Sequence, residues 1–181
     1  MATRRALSEF SSLDRALYRA VARTSTPELD VGLSRLSNTA NHSVLWFGLA
    51  AGLAVFGGRR SRRAAVVGAV AIGVTSAVVN LVVKPTVLRQ RPEREVRVGM
   101  PHVRMPGSTS FPSGHSASAF AFASAVGGEV PLLAAPLRAL ATGVAYSRVH
   151  TGVHYPSDVV VGSLIGATVG AAVSRVLRRS H

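Results

Sequence analysis

Three short polar clusters interrupt an otherwise apolar chain, and their side chains suit chemistry on a phosphate ester. The first cluster runs from Lys84 to Pro92, the second from Pro112 to His115, and the third from Ser147 to Asp158. Lysine and arginine donate hydrogen bonds and accept none, so the cations in these clusters can hold an anion that has several oxygens. The clusters therefore predict a phosphate-binding site.

Five residues of these clusters are candidates to bind a phosphoryl group. They are Lys84, Arg91, Ser113, Gly114 and Arg148. Arginine presents a planar fork of donors that matches phosphate oxygens, and a helix that begins beside Gly114 would add free backbone N–H groups. Each residue alone has a simpler interpretation, since a lone cation often lies at the end of a membrane helix and Ser113 can cap a helix.

Two histidines and a carboxylate supply the remaining groups that phosphoryl transfer requires. If Asp158 accepts the hydrogen of one ring nitrogen of His154, the other nitrogen is a nucleophile for phosphorus, while His115 protonates the departing oxygen. A single histidine is more often structural than catalytic, and Asp158 could simply begin a helix. The combination of all three with the cations favours catalysis.

The three clusters together resemble the signature of the type 2 phosphatidic acid phosphatase superfamily. That signature reads here as Lys84, six residues, Arg91-Pro92; then Pro112-Ser113-Gly114-His115; then Ser147-Arg148, five residues, His154, three residues, Asp158. The resemblance implies an all-helical core and hydrolysis of a lipid phosphate without a metal ion or other cofactor. It also implies a phosphohistidine on His154, oriented by Asp158, with His115 as general acid and then as general base.

Five apolar runs must position these clusters. They cover residues 44–57, 64–83, about 116–128, 130–147 and 159–176. A helix needs about 20 residues to cross the hydrocarbon core, so only the second run is long enough by itself, and the others rely on polar flanks or a thinner bilayer. The pattern predicts an all-α integral membrane bundle of about five transmembrane helices. Alternating crossings would bring all three clusters to one membrane face.

The N-terminal segment, residues 1–42, mixes charged residues with apolar residues at helical spacing. This pattern predicts two short amphipathic helices that break near Pro27 and lie at the membrane interface without crossing it. Residues 43–178 form the predicted transmembrane catalytic core. The 181 residues are therefore expected to form one membrane phosphatase domain.

Three glycines recur every fourth residue in the last apolar run: Gly162, Gly166 and Gly170. Small residues at this spacing let two membrane helices approach closely. We expect this face to pack inside the bundle rather than to form a dimer, and the sequence leaves the oligomeric state open.

Composition narrows the class of partner. The net charge of +13 would suit nucleic acid, but the cations flank apolar runs instead of forming one stripe, so we expect no nucleic-acid partner. The chain has no cysteine, which excludes thiolate nucleophiles and cysteine-ligated metals. The expected partners are the lipid bilayer and a membrane lipid phosphate, at a site without a metal.

The identity of the lipid depends on weaker patterns. The chain is similar to bacterial polyprenyl-diphosphate phosphatases, which makes undecaprenyl diphosphate a candidate. Its composition resembles that of a high-GC bacterium, where decaprenylphosphoryl-5-phosphoribose is another candidate, and composition does not choose between them. Phosphatidylglycerophosphate, phosphatidic acid and a non-catalytic lipid-binding role remain alternatives. The loop 93–111 brings Arg94, Arg97, His102 and Arg104 near the site, where they either contact the headgroup or attract anionic lipid.

Arginines on the opposite side of the bundle predict the orientation in the membrane. Four fill the short loop 59–63, and three more close the chain between 175 and 179. The positive-inside rule places these arginines in the cytoplasm, so the active site of this multi-pass protein would be extracytoplasmic. A raw count of arginines favours the reverse, because the N-terminal segment and the loop 93–111 are also basic.

Overall fold

The computed structural model describes residues 2–24, 26–94 and 103–179 of the chain. Within those ranges the protein is all-helical and has no β-strand. The seven α-helices are α1 Ala2–Arg23, α2 Pro27–Thr39, α3 Val44–Phe56, α4 Arg59–Ala77, α5 Gly114–Glu129, α6 Ala134–His150 and α7 Pro156–Arg179. The predicted all-α class is confirmed.

The helix boundaries follow the patterns seen in the sequence. Each apolar run overlaps one of the helices α3 to α7. The break between α1 and α2 falls just before Pro27, since proline is tolerated at the first position of a helix. The second run continues past α4 as a π-helical turn, Val78–Val83. A short 3-10 turn, Lys84–Thr86, follows it. The chain therefore changes its helical geometry directly before the first polar cluster.

Two helical segments in the described ranges are long and apolar enough to cross a membrane: Arg59–Thr86 and Pro156–Arg179. The pair Pro27–Thr39 and Asn41–Phe56 meets the same criteria together but bends by 64° at its break. The helices α5 and α6 have only 16 and 17 residues. The structure thus has two or three candidate spans, and the predicted number of five is not confirmed. It also makes α2 part of a candidate span.

Helix α5 lies at the centre of the bundle, in contact with α4, α6 and α7. Its closest approach is to α7, where the three glycines face it. A Cβ atom at each glycine would overlap a backbone carbonyl oxygen of α5 or of Ser113, the residue before it; the pairs are Gly162 with Ser113, Gly166 with Ala117, and Gly170 with Ala121. The prediction that this face packs inside the bundle is confirmed.

The N-terminal helices lie against the bundle, α1 on α6 and α7, and α2 on α6. The two faces of α1 differ in exposure. The buried face carries Asp14, Tyr18 and Ala22, and the exposed face carries Phe10, Leu13 and Leu17. An amphipathic helix with outward apolar side chains suits a membrane interface. The burial of a carboxylate on its inner face was not expected from the sequence.

Candidate active site

The three polar clusters meet around one cavity of about 220 Å³. The cavity lies where α4 ends, α5 begins and the chain turns from α6 into α7. Five of the eight predicted site residues line it: Lys84, Arg91, Gly114, His115 and His154. The other three, Ser113, Arg148 and Asp158, are fully buried. One cavity thus combines cations, the three imidazoles of His42, His115 and His154, and a helix N-terminus.

His154 is held in the turn between α6 and α7. The backbone N–H groups of Val153 and His154 donate to the carbonyl oxygen of Arg148, at 3.0 and 3.1 Å. Gly152 has a φ of 70°, a conformation that glycine adopts without strain. These bonds fix the imidazole over the end of α6, with its side chain only 2% exposed.

The hydrogen bond that Arg91 donates to His154 identifies which ring nitrogen carries no hydrogen. Nη1 of Arg91 lies 3.2 Å from Nε2 of His154. A guanidinium only donates, so Nε2 accepts and its lone pair points toward the cavity side. The ring hydrogen is then on Nδ1, 3.5 Å from Oδ2 of Asp158. That distance exceeds an ordinary hydrogen bond, so Asp158 acts on the N–H through its charge at this separation.

The surroundings of His154 keep its ring neutral. Burial lowers the pKa of His154 to about 4, although Asp158 raises it, and the nearby Arg91 and Arg148 lower it further. The ordinary pKa of histidine is about 6.5. The pKa of His154 therefore lies well below neutral pH, and Nε2 keeps the lone pair that a nucleophile needs.

Asp158 is a completely buried carboxylate held by three donors. Ser110 donates its hydroxyl to Oδ2 at 2.5 Å and the backbone N–H of Tyr155 donates to the same oxygen at 3.0 Å. Arg89 donates to Oδ1 at 2.7 Å. A buried carboxylate stays ionised only with such partners. Arg89 and Ser110 were not among the predicted site residues.

Lys84 and Arg91 approach the cavity from the loop after α4. Nζ of Lys84 lies 3.1 Å from Oγ of Ser108, and Arg91 donates to the carbonyl oxygens of Ser108, Thr109 and Val153 at 2.9 to 3.2 Å. These neutral acceptors hold the two cations in place without cancelling their charge. Both cations therefore remain available to an anion.

Arg148 presents unpaired donors inside the protein. Its Nη1 donates to Oγ and to the carbonyl oxygen of Ser37 on α2, at 2.5 and 3.1 Å. Its Nε and Nη2 have no hydrogen-bond partner among the described residues. Leaving buried donors unsatisfied costs free energy, and the oxygens of a bound phosphate would remove that cost.

The start of α5 provides the remaining predicted groups. Ser113 caps the helix, because its Oγ accepts from the backbone N–H of Ser116 at 3.4 Å. This confirms the simpler interpretation of Ser113 and leaves the first N–H groups of the helix beside the cavity. Nε2 of His115 lies 2.9 Å from Oδ1 of Asn41, so the segment between α2 and α3 orients this imidazole.

Two of the four loop residues predicted to lie near the site, Arg94 and Arg104, are among the described residues, and their surroundings differ. Arg94 donates to the carbonyl oxygens of Thr151 and Val103, at 3.0 and 2.8 Å, so it links segments of the protein. Arg104 is exposed and lines a neighbouring cavity of about 280 Å³ that also reaches His115. Arg97 and His102 lie outside the described residues.

Two further residues of the third cluster, His150 and Tyr155, make structural contacts with the N-terminal helices. His150 pairs with Asp30 of α2 at 2.7 Å. Tyr155 packs edge-on against Tyr18 of α1, with ring centroids 5.6 Å apart. His42, in the segment between α2 and α3, lines both cavities.

Comparison with known proteins identifies relatives of this chain. Residues 65–181 match the PAP2 superfamily. A Mycobacterium tuberculosis protein named decaprenylphosphoryl-5-phosphoribose phosphatase is 39% identical over 145 residues, which cover 78% of this chain and 76% of the relative. A protein of the same name from Mycolicibacterium smegmatis is 37% identical over 141 residues, covering 75% and 72%.

Two solved structures share the fold. The crystal structure of Aquifex aeolicus LpxE superposes with a TM-score of 0.70 at 30% identity, covering 90% of this chain and 95% of that one. A transmembrane PAP2-type phosphatidylglycerolphosphate phosphatase from Bacillus subtilis gives a TM-score of 0.70 at 24% identity, covering 94% and 87%. The similarity to the Bacillus subtilis structure shows a shared fold alone.

Proposed function

The chain belongs to the PAP2 superfamily, and from this membership and the geometry of the cavity we propose that it removes phosphate from a membrane lipid through a phosphohistidine on His154. One observation carries the proposal. The bare Nε2 of the buried His154 faces a cation, Arg91, in a cavity that can hold a phosphoryl group. A nucleophile and an anion-binding group thus meet at one point, as phosphoryl transfer requires.

The proposed reaction has two steps. Nε2 of His154 attacks phosphorus and the bond from phosphorus to the lipid oxygen breaks, while His115 gives that oxygen a proton. His115 then takes a proton from water, the hydroxide attacks phosphorus, and the N–P bond breaks to release phosphate. The phosphate-binding residues in this proposal are Lys84, Arg91, Ser113, Gly114 and Arg148. Asp158 stabilises the positive charge that the ring of His154 acquires.

Arg91 must change its partner when substrate binds. Its Nη1 donates to Nε2 of His154 and so occupies the lone pair. A phosphate oxygen is a stronger acceptor for a guanidinium than a neutral imidazole is. Binding of the substrate would therefore turn Arg91 toward the phosphate and free the nucleophile in the same step.

Decaprenylphosphoryl-5-phosphoribose is the substrate we propose, because that compound is in the names of relatives 37–39% identical to this chain. The neighbouring cavity supports this choice. It lies beside His115, the proposed proton donor to the leaving group, and is lined by Asn41, His42 and the cationic Arg104. These groups suit a sugar that carries a second phosphate. Undecaprenyl diphosphate is the alternative polyprenyl substrate.

A phosphate-release panel tests both levels of this proposal. Purified protein in detergent with EDTA is given decaprenylphosphoryl-5-phosphoribose, undecaprenyl diphosphate, phosphatidylglycerophosphate and phosphatidic acid. We expect release from the first at the highest kcat/KM. A higher kcat/KM for another lipid would identify that lipid as the substrate and would leave the proposed reaction unchanged. Binding of all four lipids without release would instead support a non-catalytic lipid-binding protein.

The membrane arrangement that we propose keeps five crossings, by α3 to α7, in one domain of 181 residues. Helix α5 is about 24 Å long at 1.5 Å per residue and is surrounded by other helices, so it can be shorter than a lipid-facing span. Arg63 and Arg178 both approach the buried Glu129, at 3.3 and 3.4 Å. The two arginine clusters therefore share one end of the bundle, which supports a cytoplasmic assignment for that end.

Single cysteines placed before and after the candidate span Arg59–Thr86 test the orientation, since the chain has no cysteine of its own. Leu88 and Phe56 are 83% and 91% exposed. In intact cells we expect a membrane-impermeant thiol reagent to label Leu88→Cys but to label Phe56→Cys only after the membrane is opened. The opposite pattern would place the active site in the cytoplasm, and labelling of both in intact cells would contradict the crossing by α4.

A further inference from the structure

Arg89 joins two buried carboxylates from distant parts of the chain. Its Nη1 lies 2.7 Å from Oδ1 of Asp158, and its Nη2 lies 2.5 Å from Oδ2 of Asp14 on α1. The side chains of Asp14 and Asp158 are 4% and 0% exposed, and that of Arg89 is 22% exposed. One guanidinium thus compensates two negative charges that would otherwise face each other out of water.

Asp14 also binds the start of the helix that carries Asp158. Oδ1 of Asp14 accepts the backbone N–H of Ser157 at 3.0 Å, and Oδ2 accepts the Ser157 hydroxyl at 2.6 Å. A carboxylate at a helix N-terminus satisfies free N–H groups and interacts favourably with the helix dipole. Helix α1 is therefore attached directly to the first turn of α7.

Aromatic rings fix the plane of the Arg89 guanidinium. Its Cζ lies 4.1 Å from the centroid of the Tyr155 ring, a distance at which a cation is attracted to the ring face. Tyr155 in turn packs against Tyr18, which is on α1 one turn after Asp14. The ring of Tyr155 therefore orients the guanidinium of Arg89 in addition to the two carboxylates.

We infer that Arg89 and Asp14 are positioning residues for the His154–Asp158 pair. This inference rests on the proposed function and extends it to α1. Neither residue belongs to the three-part signature. Arg89 supplies the only donor to Oδ1 of Asp158 among the described side chains, so it sets the rotation of the carboxylate. Asp14 sets the position of Arg89. Without them, Asp158 would no longer present Oδ2 steadily to the N–H of His154.

The first test compares single variants on the lipid with the highest wild-type rate. We expect Arg89→Gln to lower kcat by about 10- to 100-fold, the range for removing a partner that orients a metal-binding side chain, which acts in the same indirect way. KM should change less than about threefold, because Lys84, Arg91 and Arg148 still bind the phosphate. Asp14→Asn should lower kcat by a smaller factor. Glu9→Gln makes the same charge change at an exposed position of α1 and should retain the wild-type kcat.

The second test separates positioning from a general structural role. If Arg89 acts through Asp158, then Arg89→Gln combined with Asp158→Asn should be no slower than Asp158→Asn alone. Losses that multiply in the double variant would overturn the inference, and so would a wild-type kcat in Arg89→Gln. If Arg89→Gln does not fold, Asp14→Asn takes its place, and its effect on kcat is compared in the wild-type and Asp158→Asn proteins. Wild-type protein that releases no phosphate would refute the proposed function itself, a separate outcome.

Discussion

His154→Ala is expected to lower the rate of phosphate release by about ten-thousandfold or more, to the level of the assay background. The substitution removes the nitrogen that would form the bond to phosphorus, and losses of this size follow removal of a catalytic nucleophile. The cations proposed to bind the phosphate are unchanged, so lipid binding should persist. The measurement is phosphate release in detergent, together with a lipid-binding assay on the same preparation.

Controls make this result specific to the nucleophile. His181→Ala, the same substitution at the last residue of the chain, should retain the wild-type rate. In addition, wild-type protein quenched during turnover of a 32P-labelled lipid should carry an acid-labile, base-stable label, as a phosphoramidate does, and His154→Ala should carry none. Release at the wild-type rate from folded His154→Ala would rule out this mechanism.

Gly166→Ala is expected to destabilise the whole bundle, although it adds only one methyl group. The new Cβ would overlap the carbonyl oxygen of Ala117, and its carbonyl carbon would be 2.8 Å away. A backbone atom cannot rotate away as a side chain can, so α5 and α7 must separate. We expect a loss of about 3 kcal/mol, the upper part of the range for overpacking. At about 2–4 °C per kcal/mol, this lowers the unfolding midpoint by about 10 °C.

Gly48→Ala is the matched control for this prediction. Gly48 lies in α3, and a Cβ there would meet no atom within 4 Å, so the midpoint should stay within about 2 °C of wild type because alanine also favours a helix. Phosphate release should fall in Gly166→Ala and not in the control, because α5 and α7 begin with the residues of the site. An unchanged midpoint in Gly166→Ala would show that the two helices are not packed as described. A single unfolding transition would support one domain.

The spacing of residues along the chain was sufficient to identify the candidate site. Each motif is local, so its members stay close together in any helical structure, and the eight predicted residues do surround or support one cavity. The helices were also predictable, since apolar runs and Pro27 act on neighbouring residues. The glycine face of α7 was predictable for the same reason, because a period of four residues defines one side of a helix.

The number of membrane spans was harder to predict from the sequence. Hydropathy shows that a run avoids water, but it does not show whether the run faces lipid or other helices. Helix α5 is apolar because α4, α6 and α7 enclose it, and its 16 residues are too few for a span by the usual criterion. The same holds for α2, which the sequence placed at the membrane interface. It is part of a candidate span together with α3, and the bend between the two helices is a property of the tertiary structure.

Sequence alone therefore determined which residues could carry out the chemistry and that helices in a membrane would hold them. Only the tertiary structure decided what supports those residues. Asp14 and Arg89 are 75 positions apart, Ser37 and Arg148 are 111 apart, and Asn41 and His115 are 74 apart. Spacing along a helix cannot predict contacts at such separations. They depend on how α1 and α2 pack against the bundle, and that packing brings a segment predicted to lie at the membrane interface into contact with residues of the candidate active site.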